Sequence, residues 1–294
     1  MLKRNNWRLT LFMMAVVAML AACDTGTSPA SKGSAASSSG GASSADSAGN
    51  SGKPAKPEGR PVVAETLPYA EVAEQLVHGH FAFPADMVDP LPGIIVIHER
   101  WGLDDRTRAL ADRLAGQGYV VLAVDLFGGK TASDINIARN LMVNVVENPE
   151  LANENIRQAY QFLKDSGQAP SIGALGWSFG GNWALNTAML FPDELGAAVI
   201  YYGQVSNNED RLAPMNVPIL GLFGENDKGV TVETVREFEQ TLDALGKNYE
   251  IEIYEGAGHA FADPDGSNYN AEIAELAWAR VLGFLDYHLS KSAN

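Results

Sequence analysis

The sequence predicts an α/β fold: a mainly parallel, doubly wound sheet with helices on both faces. Three observations carry that reading. Short continuous apolar runs, rich in β-branched residues, recur between residues 93 and 254. Runs of that kind mark strands buried on both faces. The segments between them space their apolar residues by three and four, as amphipathic helices do. Polar and glycine residues crowd the ends of the runs, and in open α/β sheets sites lie at the carboxyl ends of strands.

Residues 75–84 read as an early strand, and Pro90, Pro92 and Gly93 mark a turn. Residues 93–99 form a central strand that runs directly into His98, Glu99 and Arg100. Residues 103–116 have helical spacing through Leu103, Leu110 and Leu114. The next strand is 119–125, and Gly128-Gly129 ends the loop after it. Two helices follow over 131–148 and 150–166, the second with Leu151, Ile156, Ala159, Tyr160 and Leu163 on its apolar face. Strands are expected at 171–176, 196–202, 218–224 and 249–254, with helices at 231–245 and 270–289. Ile273, Leu276, Trp278, Val281, Leu282 and Leu285 of the last helix read as core.

The first sixty residues have a different character. Lys3, Arg4 and Arg8 precede an apolar run, Leu9 to Ala22, that is broken only by Thr10. The run is short for a membrane span and has the form of a secretion signal. It ends in Leu20-Ala21-Ala22-Cys23, which resembles the lipobox of bacterial lipoproteins. Cys23 is the sole cysteine, so no intrachain disulfide explains it. The expectation is cleavage after residue 22 and lipidation of Cys23. Of the 37 residues from 24 to 60, 27 are Gly, Ser, Ala or Pro. Such a stretch has too little apolar surface to offset its ordering entropy. It reads as a tether, with a reach of about 30–35 Å. The foldable body is then 61–294, one large domain. The protein is expected in a bacterial cell envelope, anchored and facing the periplasm, with Asp24 favouring the inner membrane. The net charge of −15 argues against nucleic acid and against adhesion to anionic lipid, so the anchor is the expected membrane contact.

The 171–176 strand leads into Gly176-Trp177-Ser178-Phe179-Gly180-Gly181. Gly-x-Ser-x-Gly between a strand and a helix is the form of a nucleophile elbow, in which a strained serine tops the turn. Side chains at 176 and 180 would collide where the backbones pass closely. The helix N-terminus offers free N–H groups and a partial positive charge to an oxyanion. A serine nucleophile needs a base, and the base an orienting acid, in the chain order Ser, acid, His. His259 follows a strand in a glycine-flanked loop, whereas His288 sits in the closing helix. Asp227 follows the 218–224 strand, with Glu225 as its near competitor. Asp263 and Asp265 come after the histidine and break the order. The five histidines form no metal-binding pattern, and His78 and His80 read as surface or edge decoration.

These residues resemble the dienelactone hydrolase family of α/β hydrolases. The resemblance covers about residues 66–290. It is carried by His98-Glu99-Arg100-Trp101-Gly102-Leu103, residues 118–126, the elbow, Tyr202-Gly203, Phe223-Gly224-Glu225-Asn226-Asp227 and Gly256-Ala257-Gly258-His259-Ala260-Phe261. It implies the α/β-hydrolase fold, Ser178 as nucleophile, Asp227 as acid and His259 as base. It places the oxyanion hole at the backbone N–H groups of Arg100 and Phe179. Glu99 matches the family glutamate beside the nucleophile. The family's nucleophile is typically cysteine, and a serine cannot be held as its anion in the same way. Ser178 would depend on His259, and Glu99 would position a water or substrate group or persist as a buried carboxylate. The family's carboxylate-binding arginine after the 119–125 strand has no counterpart, since that loop offers only Lys130. Trp101 and Tyr202 are expected at the substrate, with Phe179 and Tyr201 near an apolar pocket. The expectation is a monomeric, cofactor-free hydrolase of small carboxylic esters or lactones. An inactive tethered binding module, or a thioesterase or acyl-peptide hydrolase on the same fold, are the alternatives.

Overall fold

A computed structural model describes residues 59–291. The expected signal, Cys23 and the tether as far as residue 58 lie outside the described residues. Arg60 is tied to the folded body. Its N–H donates to the Gly116 carbonyl at 2.9 Å, and its Nε lies 2.9 Å from Asp86 Oδ1.

Eight strands form one sheet: β1 Val62–Val72, β2 Gln75–Pro84, β3 Gly93–Ile97, β4 Val120–Val124, β5 Ile172–Trp177, β6 Ala197–Tyr201, β7 Ile219–Gly224 and β8 Tyr249–Tyr254. Their spatial order is β1-β2-β4-β3-β5-β6-β7-β8. The β1–β2 and β2–β4 pairs are antiparallel and the other five are parallel. This is the mainly parallel, doubly wound sheet that the strand–helix alternation predicts, and it has the α/β-hydrolase form that the family resemblance implies. From β3 the sheet grows in one direction through β4 and in the other through β5. The order therefore reverses between β3 and β5, where Ile97 pairs with Gly176. Crevices for ligands open at such a switch point.

β3 and β4 are buried along their whole length. Alternate residues serve opposite faces, as strand geometry requires. Ile95, Ile97, Leu122 and Val124 pack on one side, and Ile94, Val96, Val121 and Ala123 on the other. The first face is covered by α3 Pro149–Asp165, α4 Phe179–Leu190 and α6 Val232–Ala244, through Ile156, Leu163, Trp183 and Phe238. The second is covered by α1 Asp105–Ala115 and α7 Ala271–Lys291, through Leu114, Val281 and Phe284. The remaining helices are α2 Ile135–Glu147 and the one-turn α5 Glu209–Leu212. Capping follows sequence: Asp104 accepts from Thr107 N–H at the start of α1, and Asp134 from Asn136 and Ile137 at the start of α2.

Four expectations need correction. Strand β1 lies where the sequence predicts no element. Leu151 is 48% exposed, because α3 turns Ile156, Ala159 and Leu163 inward instead. Leu276 of α7 is likewise exposed while Ala277, Val281 and Leu285 are buried. His80 is buried, since α1 lies over β2 and brings Asp112 within 2.7 Å of its Nε2.

Candidate active site

The elbow forms because three backbones converge on two glycines. A Cβ on Gly176 would lie 2.2 Å from the Gly180 carbonyl oxygen, and one on Gly180 would lie 2.1 Å from the Ile97 carbonyl oxygen. Neither position tolerates a side chain. Between them Ser178 adopts φ +50° and ψ −112°, a conformation that ordinary L-residues rarely take. Its N–H donates to the Tyr201 carbonyl at 2.9 Å, and its own carbonyl accepts the Asn182 N–H of α4 at 3.1 Å. The hydroxyl is thereby presented at the mouth of the β3/β5 crevice.

Ser178 Oγ lies 2.9 Å from His259 Nε2, and His259 Nδ1 lies 2.7 Å from Asp227 Oδ2. The three side chains reach one place from loops after β5, β7 and β8. Asp227 is buried, and its second oxygen accepts the N–H groups of Gly229 and Val230 at 2.7 and 3.0 Å. Burial works against the ionised carboxylate. The hydrogen bonds from His259, Val230 and Gly229 outweigh it and hold the carboxyl below its usual range. Glu225, the competing acid, is exposed and accepts the Gly256 N–H at 3.0 Å. His288 borders a separate cavity of about 400 Å³ with Ser171, Gly196 and Pro218, at the amino ends of β5, β6 and β7. The His259 loop is braced by Asn268, whose Nδ2 donates to the His259 carbonyl at 2.9 Å.

His259 faces a cleft of about 300 Å³, walled by Glu99, Arg100, Trp101, Arg106, Asp263 and Asp265 among others. The expected apolar pocket is thus a charged one. Arg106 of α1 donates to Asp263 at 2.5 Å and Asp265 at 2.7 Å, tying the loop after His259 to the opposite wall. Sequence order excluded Asp263 and Asp265 as the acid, and that order contained no hint of their pairing with Arg106, 157 and 159 residues away. Withdrawal from water raises the Glu99 pKa to about 7, with Asp263 adding to the effect and Arg100, His259 and Arg106 opposing it. Trp101 lines the cleft, with the Arg100 guanidinium 5.8 Å from its ring centre.

Tyr202 does not line the cleft. It is 1% exposed, turned inward at φ +37°, and packs edge-on against His259 and Phe261 at 5.2 Å each. Burial first, and the Glu99 carboxylate next, hold its phenol well above the ordinary pKa. Tyr201 is buried too, stacked on Trp177 at 5.4 Å. Among the described residues, neither the Arg100 nor the Phe179 N–H has a hydrogen-bond acceptor in the protein.

An eight-stranded, mostly parallel sheet with a serine elbow at its switch point defines an α/β hydrolase. The chain belongs to the dienelactone hydrolase family, whose model matches residues 77–289. Its family makes it a hydrolase of carboxylic esters or lactones. A Yersinia pestis protein bearing the name carboxymethylenebutenolidase is 29% identical over 222 residues, which is 71% of this chain and 83% of the relative. The Aquifex pyrophilus protein usf is 29% identical over 206 residues, 68% of this chain and 89% of its own. A crystal structure described as a dienelactone hydrolase, from Klebsiella pneumoniae, superposes with a TM-score of 0.69 at 26% identity. It covers 76% of this chain and 98% of its own.

Proposed function

We propose that the protein cleaves small carboxylic esters or lactones through a Ser178–His259–Asp227 triad and an acyl-enzyme. The observation that carries the reading is the continuous chain of contacts, 2.9 Å from Ser178 Oγ to His259 Nε2 and 2.7 Å from His259 Nδ1 to Asp227 Oδ2. In this mechanism His259 takes the hydroxyl proton as Ser178 attacks the carbonyl carbon. Asp227 holds the imidazole in the tautomer whose Nε2 is free to accept. The Arg100 and Phe179 N–H groups receive the oxyanion of the tetrahedral intermediate, a role typically worth about 3–4 kcal/mol per donor lost. His259 then returns the proton to the leaving alcohol. Water attacks the acyl-serine by the same route and releases the acid.

Hydrolysis of an aryl ester by the wild type and by Ser178→Ala tests this reading, and equal rates would overturn it. A fluorophosphonate probe separates it from an inactive binding module. The enzyme is expected to be labelled, with labelling lost in Ser178→Ala and His259→Ala. A wild type that takes no label supports the module. The cell-envelope location with a lipidated Cys23 belongs to the same proposal.

A further inference from the structure

We infer that His98 is a positioning residue for the oxyanion hole: its imidazole holds the Glu99–Arg100 peptide so that the Arg100 N–H faces the carbonyl of a bound ester. The inference rests on the oxyanion role proposed above for Arg100.

His98 is completely buried at the carboxyl end of β3. Its Nδ1 lies 2.6 Å from the Glu99 carbonyl oxygen, and its Nε2 lies 3.1 Å from the Leu126 nitrogen, whose N–H points to it. A carbonyl oxygen can only accept and a backbone N–H can only donate. The ring is therefore neutral, with its proton on Nδ1. The Glu99 carbonyl also accepts the Gly102 N–H at 3.2 Å. The Glu99 C=O and the Arg100 N–H belong to one planar peptide unit, and in a trans peptide they point in opposite directions. Two donors on the oxygen therefore set the direction of the N–H.

The ring itself is held from several sides. Phe127 packs edge-on at 4.5 Å between centroids, and Phe179 lies nearly parallel at 6.1 Å. Phe179 carries the second proposed oxyanion donor, so one imidazole bonds the peptide unit of the first and lies beside the ring of the second. Leu126 is anchored in turn through its neighbour Asp125. That carboxylate accepts N–H groups from Phe127 and Gly129, while its backbone carbonyl accepts from Asn155 at 2.8 Å and its N–H donates to Tyr69 at 3.2 Å. A histidine serving only as packing would not need its Nδ1 on the one carbonyl whose peptide partner is the proposed oxyanion donor.

Two substitutions separate the ring's two hydrogen bonds. In His98→Asn the amide nitrogen falls near the Nδ1 position and can still donate to Glu99. In His98→Gln the amide reaches instead toward the Nε2 position and can still meet Leu126. With an aryl ester, and rates taken per active site titrated to completion, His98→Gln is expected to lose about 30-fold or more in kcat with KM within about twofold. His98→Asn should stay within about fivefold of wild type, although it has lost the Leu126 contact. Affinity for a trifluoromethyl ketone, whose serine adduct carries an oxyanion, should fall in parallel with kcat. Equal losses in the two variants, or an unchanged kcat in His98→Gln, would overturn the inference. Nitrogen NMR of histidine-labelled wild type decides the matter should a variant not fold: a neutral His98 with the proton on Nδ1 supports it, and a proton on Nε2 refutes it. Ser178→Ala distinguishes the two levels. If Ser178→Ala retains full activity, the triad reading fails. If it is dead while His98→Gln is unimpaired, only the positioning role fails.

Discussion

His259 Nδ1 and Asp227 Oδ2 lie 2.7 Å apart, while the other oxygen of the same carboxylate is occupied by the N–H groups of Gly229 and Val230. That division of labour determines what an amide would do there. In Asp227→Asn the side-chain oxygen would stay on the two backbone donors, which leaves the NH₂ facing His259. The imidazole would have to accept at Nδ1 and carry its proton on Nε2, pointing at Ser178. A base with its proton on the wrong nitrogen cannot take one from serine, so kcat should fall by about 10³–10⁴-fold while the fold survives. Ester kinetics beside a circular dichroism spectrum measure this. A loss under tenfold would mean that the carboxylate does not set the tautomer.

The close approach of Gly180 to Ile97 predicts opposite outcomes for one chemical change at two glycines. A methyl at 180 meets the Ile97 and His98 carbonyl oxygens at 2.1 and 2.7 Å, and both are backbone atoms at the end of a central strand. Gly180→Ala should destabilise by about 3 kcal/mol or more and abolish activity. Gly283 sits in α7 with nothing within 4 Å of its notional Cβ. Gly283→Ala should stabilise by about 0.5–1 kcal/mol, because the helix loses a conformationally costly residue. Denaturant midpoints of the two variants test the pair. A tolerated Gly180→Ala would show that the elbow is wider than described.

The central strands were legible because burial on both faces leaves unmistakable apolar runs. The elbow, Asp227 and His259 were legible because each lies just past the end of such a run. β1 is not legible in the sequence, for a physical reason. Its sequence mixes polar and apolar residues without clean alternation, it contains Pro68, and its pairing with β2 shifts register between Pro68 and Ala70. An edge strand tolerates all three. The charged cleft was also hidden. Arg106 and Asp263 meet only because α1 and the loop after β8 lie over the same strand ends, and neither belongs to a recognisable motif. The direction of Tyr202 is not legible in the sequence, because a residue just past a strand's end can turn either way, and its positive φ turns this one inward.

The sequence around Cys23 predicts a covalent modification. A positive start, a short apolar run and Leu-Ala-Ala-Cys together should direct cleavage before Cys23 and lipidation of its side chain. Mass spectrometry of the mature protein from a bacterial host should show an N-terminal peptide that begins at Cys23 and carries acyl mass. Cys23→Ser should release the protein from the membrane fraction. A mature N-terminus further along the chain, without lipid, would refute the anchor.

Glu99 ties stability to pH in the direction opposite to an ion-paired carboxylate. Burial raises its pKa to about 7 from an ordinary 4.5. Between those values the folded protein holds a proton that the unfolded chain has released. Stability therefore falls as pH rises across that window, and above it the full penalty applies, at most about 3 kcal/mol. At about pH 4 and below, the group is largely protonated in both states and contributes little. Glu99→Gln removes the titration while keeping an oxygen that can face the Tyr202 hydroxyl. The variant should match the wild type in the acid and exceed its stability by about 1–3 kcal/mol at pH 8. Urea midpoints of both proteins at pH 4, 6 and 8 give the comparison. A constant offset across the three would mean that Glu99 ionises as an ordinary carboxylate, and that its burial has been met by a charge partner.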